Sequence, residues 1–342
     1  MSSRPIILAA TVGLAMLLLG LIGVVTFMAA KPAAAPPLTP AGPDAAGSTL
    51  PGGISATDAA LKLADQSIGQ GEFTAAIARL EKAVISAPKH QGLRLKLAEA
   101  LIHNAQSAAA LLQLEEAIAI GPESPALHFD TGTVAAAAGK PEQAIKHYEI
   151  AQIKSPTDSR IPLYLAMVRL KQGEDTKARA ALVRAVTLSP DLAEGWGTLA
   201  DISLRENSLD LAQQHVTKAR TLQPESPQWK LVEARIKKRS NSPQTAAELL
   251  MTLPDDQRLT LPVLQTLSEC FGLISRNDLA AEQYTLAAER DRTSGPLALQ
   301  AAKWQLKAGH LDRARDLAIT AKRLGVEGAD DLIARLDAAN LR

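Results

Sequence analysis

The feature that most constrains this chain is a period of 34 residues that keeps its smallest side chains in place. Cut from Thr57 in steps of 34, the eighth position reads Ala64, Ala98, Gly132, Ala166, Ala200, Ala234, Ser268, Ala302. The twentieth reads Ala76, Ala110, Ala144, Ala178, Ala212, Ala246, Ala280, Ala314. The twenty-seventh reads Ala83, Ala117, Ala151, Ala185, Ala219, Leu253, Ala287, Ala321. Eight repeats fit between residues 57 and 328 without an insertion. A period of this length marks a stacked-repeat architecture.

Each repeat holds two apolar-periodic segments, expected as helices over positions 1–14 and 15–28. Two helices approach closely only where side chains are small, so positions 8 and 20 mark the crossing within a repeat and position 27 the contact with the next. Larger side chains at position 7 (Leu63, Leu97, Leu165, Leu199, Leu267) and position 24 (Leu80, Leu114, Tyr148, Leu182, Leu250, Tyr284) are expected to fill the space around that crossing. Position 15 supplies turn residues that tolerate positive φ: Gly71, Gly139, Gly173, Asn207, Asn241 and Gly309. Pro88, Pro122, Pro156, Pro190 and Pro224 at position 32 stop the second helix. Ser124, Asp158, Ser226, Thr260 and Ser294 stand where a helix N-cap belongs, with Pro125 and Pro227 at the first helical position. The sixth repeat departs most: Glu233 replaces an apolar residue, Leu253 an alanine, and Pro254 follows at once, so its second helix is expected to end early.

These columns resemble the tetratricopeptide repeat. The resemblance covers residues 57–328 and implies an all-α solenoid of eight helix-turn-helix repeats, coiled as a right-handed superhelix whose first helices line a concave groove. Residues 329–342 place Leu332, Ile333 and Leu336 on one face of a final helix expected to cap the last repeat.

Ahead of the repeats, Ile6 to Ala30 is a run of 25 residues without a charge. As a helix it would reach roughly 37 Å, against a hydrocarbon core of about 30 Å, so a single transmembrane helix is expected over 6–30. A cleaved signal peptide fits less well, because a cut after Ala30 puts Met28 at −3 and one after Ala35 leaves Pro36 behind it. Arg4 and the α-amine before the span place residues 1–5 in the cytoplasm and the repeats outside it, in a periplasm if the cell has one. Residues 31–56, rich in Pro, Ala and Gly, read as a linker.

Charge and chemistry narrow the function. The net charge of +1 gives no argument for nucleic acid, and the basic run Arg235–Ser240 reads as a solvated helix face or part of a groove rim. The one cysteine, Cys270, excludes an internal disulfide and cysteine-pair zinc sites. The six histidines are scattered; His128 and His147 share a repeat but sit on different helices. No catalytic constellation, phosphate loop or dinucleotide turn is present, so neither an enzyme nor a cofactor or metal is expected.

The resemblance implies that positions 2, 5, 9, 12 and 13 of the first helices face the groove. On that basis the candidate peptide-binding residues are Phe129, Thr133, Leu163, Met167, Leu170, Lys171, Leu204, Arg205, Arg235, Arg239, Lys303 and Lys307. They form an apolar floor with a basic rim toward the C-terminus, suited to a peptide with apolar anchors and acidic character. The carboxylate-clamp mode of some relatives is not expected, because its positions hold Leu61 and Asp65, or Leu95 and Glu99. The expected role is a membrane-anchored scaffold for a protein or peptide partner in envelope assembly or secretion. The alternatives are a self-associating structural protein and a regulatory subunit of an enzyme. The sequence leaves the oligomeric state open.

Overall fold

A computed structural model describes residues 55–340, and the apolar segment 6–30 and nearly all of the linker lie outside them. The described residues form eighteen α-helices and no strand. They fall into two compact units, divided after Pro190. The N-terminal unit holds four helical hairpins: α1 (Ala56–Gly69) and α2 (Phe73–Ser86), α3 (Gln91–His103) and α4 (Ser107–Ile120), α5 (Pro125–Ala137) and α6 (Pro141–Lys154), α7 (Arg160–Lys171) and α8 (Asp175–Leu188). The C-terminal unit begins with α9 (Ala193–Arg205), α10 (Leu209–Leu222), α11 (Pro227–Arg239), α12 (Pro243–Met251) and the single turn α13 (Asp255–Arg258). It continues with α14 (Leu261–Leu273), α15 (Asn277–Arg290), α16 (Gly295–Lys307), α17 (Leu311–Arg323) and α18 (Ala329–Asn340).

The alanine columns are the seams of these hairpins. All eight alanines at position 20 are fully buried, and so is every residue of the eighth column. Space at the seam is shared between partners. Where position 24 is the bulky Tyr148, position 8 shrinks to Gly132, whose missing Cβ would stand 2.9 Å from the tyrosine ring. Where position 24 is Tyr284, position 8 is Ser268, which hydrogen-bonds the phenol.

Second helices run over positions 17–30 rather than the expected 15–28, because the turn occupies positions 14–16. The residue at position 15 takes a positive φ in all eight repeats, including Ala105 (59°) and Ser275 (59°), which lack the freedom of glycine. The next N–H then reaches back to close the first helix, as in Glu72 to Ser67 O and His310 to Gln305 O. This is the six-to-one bond of a Schellman ending.

Three local expectations change. Leu63 is 50% exposed, because among the described residues no earlier hairpin covers its position 7. Of the expected N-caps only Ser124 accepts from a helix N–H in the usual way, at 3.0 Å from Leu127 N; Asp158 caps through Arg160 N, one residue late. Ser226, Thr260 and Ser294 occupy the cap without a side-chain bond, whereas His90 caps α3 through Nδ1 at 3.2 Å. The linker ends one residue sooner than 56, since Ala56 opens α1 with Ser55 as its cap.

The sixth repeat does end early. Chain reversal at Pro254 cuts α12 to nine residues, and Leu253 fills the vacated alanine slot, 2% exposed. Glu233 is tolerated because Arg220 and Lys237 close on its carboxylate. The capping helix α18 buries Leu332 and Leu336 against α16 and α17.

Candidate functional site

The turn geometry holds each first helix at the same register, so equivalent positions recur one hairpin apart. In the N-terminal unit this gathers Phe129 of α5 with Tyr148 of α6 and Tyr164 of α7. The Phe129 ring lies 5.1 Å from Tyr164 and 5.7 Å from Tyr148, centroid to centroid. Thr133 is buried and accepts from the Tyr148 hydroxyl at 3.1 Å. Leu163 is buried, Met167 and Leu170 half-buried, and Lys171 exposed. Asp65 and Glu99 share Lys96, buried between them at 2.6 and 2.8 Å.

The C-terminal unit gathers the remaining candidates. Leu204 is buried, and its carbonyl accepts from Arg239. Arg205 stands 3.4 Å from Asp201, and half-buried Arg235 donates to Thr266 at 3.4 Å. Lys303 is exposed, and Lys307 places Nζ 4.0 Å above the Trp304 ring. Beside that ring is a pocket of about 540 Å³ lined by Lys238, Glu269, Gly272, Leu273, Asn277, Trp304 and Lys307. Leu273 is 64% exposed, an aliphatic side chain in the column that from the fourth repeat onward otherwise holds Lys171, Arg205, Arg239 and Lys307. Gly272 makes the room: a Cβ there would meet Trp304 at 3.2 Å.

Of that pocket only Lys307 was anticipated. Trp304 stands at position 10, off the expected face, and reaches the pocket only because Gly272 one repeat earlier lacks a side chain. Gly272 was the available signal, since position 12 carries a large aliphatic side chain in five of the other repeats: Ile68, Ile102, Leu170, Leu204 and Leu306. The buried candidates Phe129, Thr133, Leu163 and Leu204 support their faces from beneath, and the half-buried and exposed ones remain accessible.

His128 and His147 are brought together, Nδ1 to Nδ1 at 3.0 Å, in the buried seam of α5 and α6. One proton must lie between two ring nitrogens at that distance. Glu123 stands 3.2 Å from the other nitrogen of His128 and 3.1 Å from Lys154. Burial, then the charges of His128 and Lys146, push His147 down to about 4. No group of three metal-ligating side chains occurs among the described residues. Cys270 is buried, and burial pushes its thiol up to about 11, which keeps it protonated and unreactive at neutral pH.

The architecture defines an all-helical repeat protein. Residues 67–128 and 129–193 each match a tetratricopeptide-repeat family model, so that stretch carries tetratricopeptide repeats. The fold is similar to a tetratricopeptide repeat protein from Parabacteroides merdae, with a TM-score of 0.56 at 16% identity over 72% of this chain and 98% of that one. It is also similar to PilW, described as a type IV pilus biogenesis factor, with a TM-score of 0.51 at 20% identity over 62% of this chain and 98% of that one. Pseudomonas aeruginosa PilF matches at a TM-score of 0.51 and 19% identity, over 62% and 97% of the two chains. No curated protein matches the chain.

Proposed function

We propose that this protein is a scaffold that holds a polypeptide partner against its first-helix faces, tethered to a membrane by residues 6–30 with the repeats outside the cytoplasm. The observation that carries the reading is the Trp304–Leu273 pocket. Exposed apolar surface next to lysines that lack a carboxylate partner suits an apolar anchor followed by an acidic residue. Lys307 of the pocket and Lys303, one turn earlier on α16, have no carboxylate partner among the described residues, while Lys238 is already paired with Glu269. The apolar run and the linker behind it support a role in envelope assembly or secretion, a setting shared with the pilus biogenesis factor of similar fold.

Site-specific photocrosslinking in the native cell tests the binding face. A crosslinker at Leu273 of the full chain is expected to trap one discrete partner, and one at Ile319, exposed on α17, is not. Lys303→Glu with Lys307→Glu is expected to abolish the adduct while leaving the fold intact, since both side chains are exposed. Equal trapping at Ile319, or an adduct indifferent to the lysines, would reject the face. An adduct of twice the chain's mass would favour self-association. A reporter fused after residue 342 and active only in the cytoplasm would reject the topology.

A further inference from the structure

The fourth and twenty-third positions of a repeat meet across its hairpin seam. Arg94 donates to Gln113 at 3.0 Å there in the second repeat, and the rings of Trp196 and His215 lie 5.8 Å apart in the fifth. The third repeat alone puts a histidine at both positions, His128 on α5 and His147 on α6. Both are buried, their Nδ1 atoms 3.0 Å apart and their ring centroids 5.3 Å. Glu123, just before α5, lies 3.2 Å from Nε2 of His128 and is held in turn by Lys154 at 3.1 Å. Helix α5 leans on this seam to stay helical. Thr131, Gly132 and Thr133 run through its middle, residue types of low helix propensity. Both threonine hydroxyls donate back to helix carbonyls, Thr131 to Leu127 at 2.7 Å and Thr133 to Phe129 at 3.0 Å. Next to the histidines in sequence stand Phe129 and Tyr148, whose rings lie 5.7 Å apart, and the Tyr148 hydroxyl donates to Thr133.

With Glu123 accepting from Nε2 of His128, the neutral pair has one proton between its two Nδ1 atoms, donated by His147. A first added proton goes to Nε2 of His147 and leaves the shared proton in place, with the Glu123 carboxylate as counter-charge. A second gives both Nδ1 atoms a hydrogen. Neither then accepts, and two cations face each other in a desolvated seam. We propose that the pair is an acid-operated latch: its full protonation parts α5 from α6 and dismantles the face that Phe129 and Thr133 build with Tyr148. The device belongs to the N-terminal unit and does not depend on the pocket beside Trp304. Burial, then the charges of His128 and Lys146, hold His147 down to about 4, so the latch stays shut at neutral pH. Glu123 is held below the usual carboxylate range by His128 and then Lys154, which keeps it ionised further into the acid range. From α4 and α7, the helices packed on either side of the hairpin, no charged side chain contacts either ring among the described residues. Below an ordinary histidine value of 6.5 the parted hairpin binds more protons than the closed one, so opening grows as the pH falls.

Amide hydrogen exchange on the full chain, corrected for the intrinsic pH dependence of exchange, tests the latch. Between pH 6.5 and pH 4.5 the protection of α5 and α6 is expected to fall by more than about tenfold, while α2 and α16 keep theirs. His147→Gln places a glutamine where the second repeat has Gln113, a partner that does not titrate, and is expected to abolish the fall. The reciprocal His128→Gln is expected to do the same. Glu123→Gln, at an exposed position, removes the counter-charge and is expected to start the loss at a higher pH. Four outcomes would overturn the latch: a loss spread evenly over all the helices of the parent chain, α5 and α6 still protected at pH 4.5, a fall that survives both histidine substitutions, or an onset that Glu123→Gln does not raise.

Discussion

At the scale of single residues, stability rests on positions where a seam admits no added atom. Gly197 of α9 faces the Trp229 ring, which would occupy the place of a Cβ. The indole cannot simply withdraw, because its Nε1–H donates to Gln223 at 3.0 Å. On an open helix surface Gly→Ala stabilises by about 1 kcal/mol; here Gly197→Ala is expected to destabilise by roughly 1–3 kcal/mol through overpacking, read from denaturant unfolding. The buried histidine pair gives a prediction in pH. His147 is depressed to about 4 in the folded chain and returns to an ordinary value near 6.5 when unfolded. Between those values the unfolded state binds more protons, so this contribution is complete above pH 6.5 and is lost as the pH falls toward 4. The stability difference between the parent and His147→Gln is expected to move by about 2 kcal/mol from pH 7 to pH 4.5. Titrating groups that do not touch His147 affect both chains alike, so the comparison reports the His128–His147 pair. A pH-independent difference would refute the assignment.

At the scale of the element, the sixth repeat shows how a departure from the pattern is absorbed. With α12 stopped at Met251, an alanine at 253 would leave the slot unfilled, and Leu253 fills it. Leu253→Ala thus restores the consensus residue of its column yet is expected to cost about 2–4 kcal/mol, because it opens a cavity. Calorimetry on the full chain, with the exposed Leu261→Ala as reference, checks this. The helices and their seams were legible beforehand because one period repeated the same spacing eight times, so a single misread repeat could not hide it. Helix ends were read two residues early because the turn takes three residues, of which only one, at position 15, has a distinctive composition. The pockets were less legible. Trp304 depends on Gly272 thirty-two residues earlier, and Phe129 meets Tyr164 thirty-five residues later. Such pairings come from stacking hairpins, and no local pattern announces them. Lys96 was missed for a related reason: it bridges Asp65 and Glu99, carboxylates from two successive hairpins.

At the scale of the molecule, each hairpin within a unit touches its neighbours and little else, so stability is a sum of local terms and nearest-neighbour interfaces. A substitution should then be felt near its own repeat and fade beyond it, unlike in a two-state globule. Ala105 and Ser275 are suited to testing this, since each is held at a φ of 59° without the freedom of glycine, in the second and the seventh repeat. The left-handed region costs an L-residue roughly 1–2 kcal/mol, and a glycine gives back part of that through the greater freedom of the unfolded chain. Ala105→Gly and Ser275→Gly are therefore each expected to stabilise by about 0.5–1 kcal/mol. Amide hydrogen exchange on the full chain reads where the gain appears. Ala105→Gly is expected to slow exchange in α3 and α4, and by a smaller amount in α2 and α5, with α14 to α17 unchanged. Ser275→Gly is expected to slow exchange in α14 and α15, and less in α16, with α2 to α5 unchanged. A uniform slowing over all the helices by either substitution would mean that the chain opens as one cooperative whole, and the nearest-neighbour account of its stability would fail.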